Sequence, residues 1–151
     1  MISISAPMLG QEEKQAILQV IDSGQLAQGK RVKAFEEAFA AVCGVKHAVA
    51  TSSGTTALHA AVLAHGIGPG DEVITTPFTF VATTHALYWN KIRPVFVDIE
   101  PDYYTLDPEA VEAAITPWTT AILAVHVYGH PCKLDELADI ARRHNLRLIY
   151  D

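Results

Sequence analysis

The sequence predicts an α/β fold, a mainly parallel sheet with helices on both faces, and three observations carry that prediction. From about residue 46 onward, short apolar runs of strand length alternate with helical patterns. The strands are apolar and separated by helices, as a sheet covered on both sides requires. Clusters of Gly, Pro and Asp punctuate the transitions, most clearly Gly68-Pro69-Gly70-Asp71.

The elements follow in order. Ile17, Val20 and Ile21 recur at helical spacing within Gln11 to Ser23, and Gly24 is placed as a C-cap. A loop with Gly24 and Gly29 leads to a second helix from about Arg31 to Val42, striped by Val32, Phe35, Phe39 and Val42 and ended by Gly44. His47 to Ala50 reads as a short strand and Thr55 to Ala64 as an apolar helix. The turn cluster introduces a strand at Glu72 to Thr75, Pro77 breaks the chain, and a helix runs from about Thr79 to Trp89. Pro94 to Ile99 is a strand, and Asp107-Pro108-Glu109 has the signature of a helix start. Thr120 to Val127 is an apolar strand, Lys133 to His144 a helix, and Leu146 to Tyr150 a last strand. Residues 1–45 stand outside the alternation and are expected to form a helical arm or edge; residues 46–151 carry the α/β pattern. The final apolar strand is followed by a single residue, so the sequence reads as a piece of a longer chain.

Composition excludes several function classes. Half of the 151 residues are apolar, 19% are charged, and the net charge is −6 with acidic residues scattered. No basic stripe is present to neutralise phosphates, so no nucleic-acid partner is expected. No window reaches the roughly 18 apolar residues of a membrane helix, and the first residues lack a signal-peptide pattern. Cys43 and Cys132 lie far apart, which points away from a disulfide framework and toward a reducing cytoplasm.

In open α/β sheets ligands bind beyond the carboxyl ends of the strands. The residues to weigh are therefore 52–56, 76–80, 126–130 and Asp151. Thr51-Ser52-Ser53-Gly54-Thr55-Thr56 offers small residues, hydroxyls and a helix N-terminus, the chemistry that a phosphate requires. It matches neither GxxxxGK(S/T) nor GxGxxG, and the same residues would equally make a hydroxyl-capped turn. Phe80 could stack on a flat heterocycle, although an aromatic so placed is more often core. Asp151 ends an apolar strand, where a carboxylate calls for a partner such as a protonated ring nitrogen; an exposed strand-end acid is the plainer alternative. His126, His130 and Cys132 are interrupted by Gly129 and Pro131, and no metal site is expected from them.

The order of these blocks resembles a known family. Ser23-Gly24-Gln25-Leu26-Ala27-Gln28-Gly29, Ser52 to Leu58, Gly66 to Ile74, Pro77 to Thr83, Phe96-Val97-Asp98-Ile99 and Val125 to Pro131 together resemble the DegT/DnrJ/EryC1/StrS aminotransferases. The resemblance implies an aspartate aminotransferase-like (fold type I) large domain and the cofactor pyridoxal 5'-phosphate (PLP). It implies a homodimer that moves an amino group from glutamate or glutamine to a keto sugar, usually nucleotide-linked. It would assign the PLP phosphate to Gly54, Thr55 and Thr56, the ring-stacking aromatic to Phe80, and the acid facing the pyridine nitrogen to Asp151. Asp151 resembles the acid of the family's EDAA segment, with Tyr150 in place of the usual Glu.

In the family the Schiff-base lysine lies beyond that Asp. None of Lys14, Lys30, Lys33, Lys46, Lys91 or Lys133 matches its motif, so no catalytic residue is assigned within this chain. The remainder of the large domain and a small C-terminal domain would also lie beyond residue 151. Other readings of the same residues are a different fold type I enzyme, such as a cysteine desulfurase or threonine aldolase, and a non-catalytic regulatory relative. An unrelated nucleotide-binding domain would lack its glycine fingerprint.

Overall fold

The computed structural model describes residues 5–151 and divides the chain into two compact units, Met1–Ala50 and Thr51–Asp151. The first unit is helical. Helix α1 (Gln11–Ser23) begins where Glu13 accepts the Gly10 N–H at 2.6 Å, and it ends at Gly24, whose φ of 68° is a left-handed conformation that suits glycine. Helix α2 (Lys30–Cys43) ends the same way at Gly44, with φ 65°. Gln19 of α1 accepts a bond from Arg31 at 2.6 Å, and Phe35 and Phe39 touch one turn apart on α2. Of the residues behind the helical pattern, Ile17, Ile21, Phe35, Phe39 and Val42 are exposed, while Val20 and Val32 are half-buried.

His47 to Ala50, expected as a strand, is irregular. A strand exists only by pairing, and no strand of the described residues pairs with this segment. The Ala50 N–H instead donates to the Glu36 carboxylate at 2.8 Å.

The second unit is built on four parallel strands in the order β2-β1-β3-β4: β1 (Glu72–Thr75), β2 (Arg93–Phe96), β3 (Thr119–Ala124) and β4 (Arg147–Tyr150). The helices are α3 (Gly54–Ala64), α4 (Ala82–Trp89), α5 (Pro108–Ala113) and α6 (Leu134–Arg143). Strand residues alternate between two cores. Val73, Ala121, Leu123 and Ile149 pack with Leu58 and Val62 of α3 and Ala86 and Leu87 of α4. Ile74, Ile122 and Ala124 pack with Val111 of α5 and Leu137, Ile140 and Ala141 of α6. Helices therefore cover both faces, the predicted layer order, and the central strands β1 and β3 are the most buried. Helix α4 starts at Ala82 rather than at Thr79, because Pro77 to Val81 form a loop in which the Phe78 N–H bonds the Thr76 hydroxyl at 3.1 Å.

At the amino ends of the strands, the buried Glu72 carboxylate takes a bond from Thr116 at 2.7 Å and an ion pair from Arg93. Arg143 of α6 ties Glu112 of α5 to Asp139 of its own helix.

Two outcomes test these contacts. Leu123 is fully buried on β3, so Leu123→Ala should lower unfolding stability by about 3 kcal/mol in a urea titration. Bonds from Arg143 and then His144 hold the Glu112 carboxyl down from 4.5 to about 2. A carboxyl lowered on folding contributes stability that is complete above about pH 4.5 and lost as pH falls toward 2. Glu112→Gln should therefore flatten the decline of Tm across that window.

Candidate functional site

The chain moves from β1 outward to β2, then returns to place β3 on the other side of β1. That reversal opens a crevice at the carboxyl ends of β1 and β3, the place where open α/β sheets bind ligands. A cleft of about 580 Å³ lies there, walled by Pro77 to Phe80 after β1, Val125 to Tyr128 after β3, and Asp151 after β4. Its size is that of a small-molecule site.

Asp151 is positioned by the sheet itself. Its N–H donates to the Ala124 carbonyl at 2.8 Å, and its carbonyl accepts the His126 N–H at 2.9 Å, extending the β3–β4 ladder by one step. The Thr83 hydroxyl, fully buried on α4, donates to Asp151 Oδ2 at 2.5 Å. Thr79 Oγ1 lies 2.8 Å from Thr83 Oγ1. Because Thr83 has one hydroxyl proton and gives it to the carboxylate, Thr79 is the donor in that pair.

Phe80 stands two residues before α4 with 76% of its surface exposed. An aromatic ring on a cleft wall, uncovered by the protein, is a platform for a flat ligand; the core reading of Phe80 does not hold in this structure. The wall opposite is also aromatic. His126 stacks on Tyr150 at 4.8 Å, and its Nδ1 accepts the Cys132 N–H at 3.2 Å. Tyr128 is held at φ 52° and ψ 27°, a left-handed conformation unusual for a bulky residue, and is almost wholly exposed.

The loop beside the cleft is organised by Glu100. Burial raises its pKa, but N–H bonds from Asp102, Tyr103 and Thr105, with the charge of Lys133, outweigh burial and leave it below the usual range. That loop carries Tyr103 onto His130, 4.4 Å apart and nearly parallel, and Tyr104 onto Phe78. Cys132 is buried, which pushes its thiol up and makes it a poor nucleophile. Among the described residues no three His, Cys, Asp or Glu side chains converge as metal ligands, and no helix is long and apolar enough to cross a membrane.

Gly54, Thr55 and Thr56 form the first turn of α3 and are not part of the cleft wall just described. Ser53 caps the helix by accepting the Thr56 N–H at 3.2 Å, while the Thr56 hydroxyl bonds the Ser53 backbone in return. Both Thr56 groups are thus engaged in the cap. The N–H groups of Gly54 and Thr55 have no acceptor among the described residues, and nothing lies within 4 Å of where a Gly54 side chain would begin. Two free donors at a helix N-terminus, with open space before them, form an anion-ready site.

A second depression, about 520 Å³ between α5 and α6, is walled by six carboxylates, Asp107, Glu109, Glu112, Asp135, Glu136 and Asp139, with Lys133 and Arg143. Its Glu112 and Asp139 both pair with Arg143, and it shares no lining residue with the crevice that the topology creates.

Fold and crevice together define an open-sheet α/β domain with a cleft of small-molecule size at its topological switch point. The model of the DegT/DnrJ/EryC1/StrS aminotransferase family matches residues 7–151, and the chain belongs to that family. It is 46% identical over 151 residues to the GDP-perosamine synthase of Caulobacter vibrioides, covering 99% of this chain and 41% of that protein. The aminotransferase from Psychrobacter cryohalolentis superposes with a TM-score of 0.94 at 37% identity, covering 97% of this chain and 38% of that one. NtdA from Bacillus subtilis, solved with bound cofactor PMP, superposes with a TM-score of 0.89 at 33% identity, covering 99% and 37%. The fold is therefore that of the fold type I aminotransferases, and this chain spans about two-fifths of the length of its curated relative.

Sequence reasoning named Phe80 and Asp151, which the structure brings to one cleft, but it gave no role to Thr79 or Thr83. Their spacing of four residues was a visible signal, while their partner is 68 residues away in sequence. The cap is open to test. Ser53→Ala should cost about 1 kcal/mol of stability in a thermal melt, because it removes the acceptor that holds the α3 N-terminus.

Proposed function

We propose that the full-length protein carrying this chain is a PLP-dependent aminotransferase. It moves an amino group from glutamate or glutamine to a nucleotide-linked keto sugar, by analogy with the GDP-sugar named for its Caulobacter relative. The observation that carries this reading is the meeting of the Asp151 carboxylate and the exposed Phe80 ring in one cleft at the switch point. On the same reading residues 46–151 are the first part of the cofactor-binding domain, which works as a homodimer in the cytoplasm.

The residues fit the cofactor. Free N–H groups of Gly54 and Thr55 at the α3 terminus suit a phosphate dianion, with Thr56 holding the turn in shape. Phe80 supplies a face for the pyridine ring. Asp151 supplies the negative charge that keeps a ring nitrogen protonated. Bound PLP provides an electron sink for the substrate carbon and a carrier for the amino group. The protein's part in this cleft is to anchor the phosphate, orient the ring and hold the proton at its nitrogen.

Asp151→Asn keeps the shape and loses the charge. In the full-length protein it should still bind PLP, while half-transamination, read as conversion of bound PLP to its amine form, slows by about 100-fold, or roughly 2.7 kcal/mol of barrier. An unchanged rate would make Asp151 only a strand-end acid. Phe80→Ala should weaken PLP binding by about 1–2 kcal/mol, about 5- to 30-fold in Kd, in a fluorescence titration.

A further inference from the structure

We infer that Thr83, with Thr79 behind it, is a positioning residue that sets which oxygen of Asp151 faces the cofactor and keeps the shared proton on the ring nitrogen. The inference rests on the proposed PLP reading and adds to it a group that acts through Asp151 rather than on the cofactor.

Three observations carry it. Thr83 is fully buried, yet its hydroxyl finds its acceptor in a residue 68 positions away, at 2.5 Å. A short bond from a rigid helix to the residue just past a strand end joins two separate elements at one carboxylate. Second, the pair is directional. Thr83 spends its only hydroxyl proton on Oδ2, and Thr79 on the cleft wall donates to Thr83 at 2.8 Å. The chain Thr79 to Thr83 to Asp151 therefore delivers a hydrogen bond at Oδ2 and leaves Oδ1 free. Third, Thr83 is the side-chain donor to this carboxylate among the described residues. His126 and Tyr128, the other titratable side chains on the cleft wall, make no hydrogen bond to it, and His126 meets Asp151 only through the backbone.

The consequence is chemical as well as steric. A carboxylate facing a protonated ring nitrogen shares one proton with it, and the proton rests on whichever partner is the stronger base. A hydrogen bond donated to the carboxylate stabilises its ionised form and so leaves the proton on the nitrogen. Without that bond the carboxyl rotates more freely and competes better for the proton.

The test uses the full-length protein loaded with PLP labelled with 15N at the ring nitrogen, whose NMR shift separates the protonated from the free nitrogen. At one fixed pH, Thr83→Val should move the resonance toward the free-base position and slow half-transamination about tenfold. PLP Kd should stay within about threefold, because the phosphate contacts are untouched. Thr83→Ser should restore resonance and rate together. A wild-type resonance in the valine variant would overturn the inference. Should Thr83→Val not fold, Thr83→Ser is compared with Thr83→Cys, a weak donor of similar size; a wild-type shift in Thr83→Ser and a displaced one in Thr83→Cys support the inference, and equal shifts overturn it. Asp151→Asn separates the two levels. If it displaces the resonance and Thr83→Val does not, the relay fails and the PLP reading stands; if Asp151→Asn leaves the resonance in place, the reading of Asp151 itself fails.

Discussion

Two backbone hydrogen bonds, from Asp151 to Ala124 and from His126 to Asp151, carry the β3–β4 ladder one step past the last strand residue. Much of the candidate site depends on them. They hold the acid beside the segment Val125 to Tyr128, and because β3 is paired to β1, they also hold it near the loop Pro77 to Phe80. The ladder is braced from both faces by cores of fully buried side chains, Val73, Leu87 and Leu123 on one and Ile74, Ile122 and Leu137 on the other. Main-chain pairing fixes the backbone of Asp151 and the Thr83 hydroxyl holds its carboxylate, and preorganisation of that kind is what an electrostatic role requires.

The two ends of the sheet divide the labour. At the amino ends, Glu72 is buried and satisfied by Arg93 and Thr116, an arrangement that holds neighbouring elements together. At the carboxyl ends, the polar groups have partners on one side and open space on the other. Asp151 takes a bond at Oδ2, Thr79 gives one to Thr83, and Phe80 is bare. The same contrast holds within the first turn of α3, where Thr56 is fully engaged in the cap and Gly54 and Thr55 are not.

What was legible in the sequence was whatever a local pattern encodes. The runs around Val73 and Ile122 read correctly as strands because burial on both faces leaves little room for polar residues. Asp107 read correctly as a helix cap because its carboxylate bonds the Glu109 N–H, a contact between near neighbours. Phe80 and Asp151 were reached through the order of motifs, since each alone reads as core or as a surface acid. The failures have the opposite character. His47 to Ala50 has strand composition, but pairing is a property of a partner and not of the segment. Thr83 reads as one more residue of an apolar helix, and only the folded sheet brings Asp151 to its hydroxyl.

The claim at the centre of this account is that the switch-point crevice holds PLP with its ring nitrogen on Asp151. A crystal structure of the full-length protein with PLP tests it most directly. The account predicts an Asp151 carboxylate oxygen within about 3 Å of the pyridine nitrogen, a hydrogen-bond distance, with the Phe80 ring against the pyridine face and the phosphate at the N–H groups of Gly54 and Thr55. A ring nitrogen that faces any other residue, or a cofactor bound outside this crevice, would contradict it.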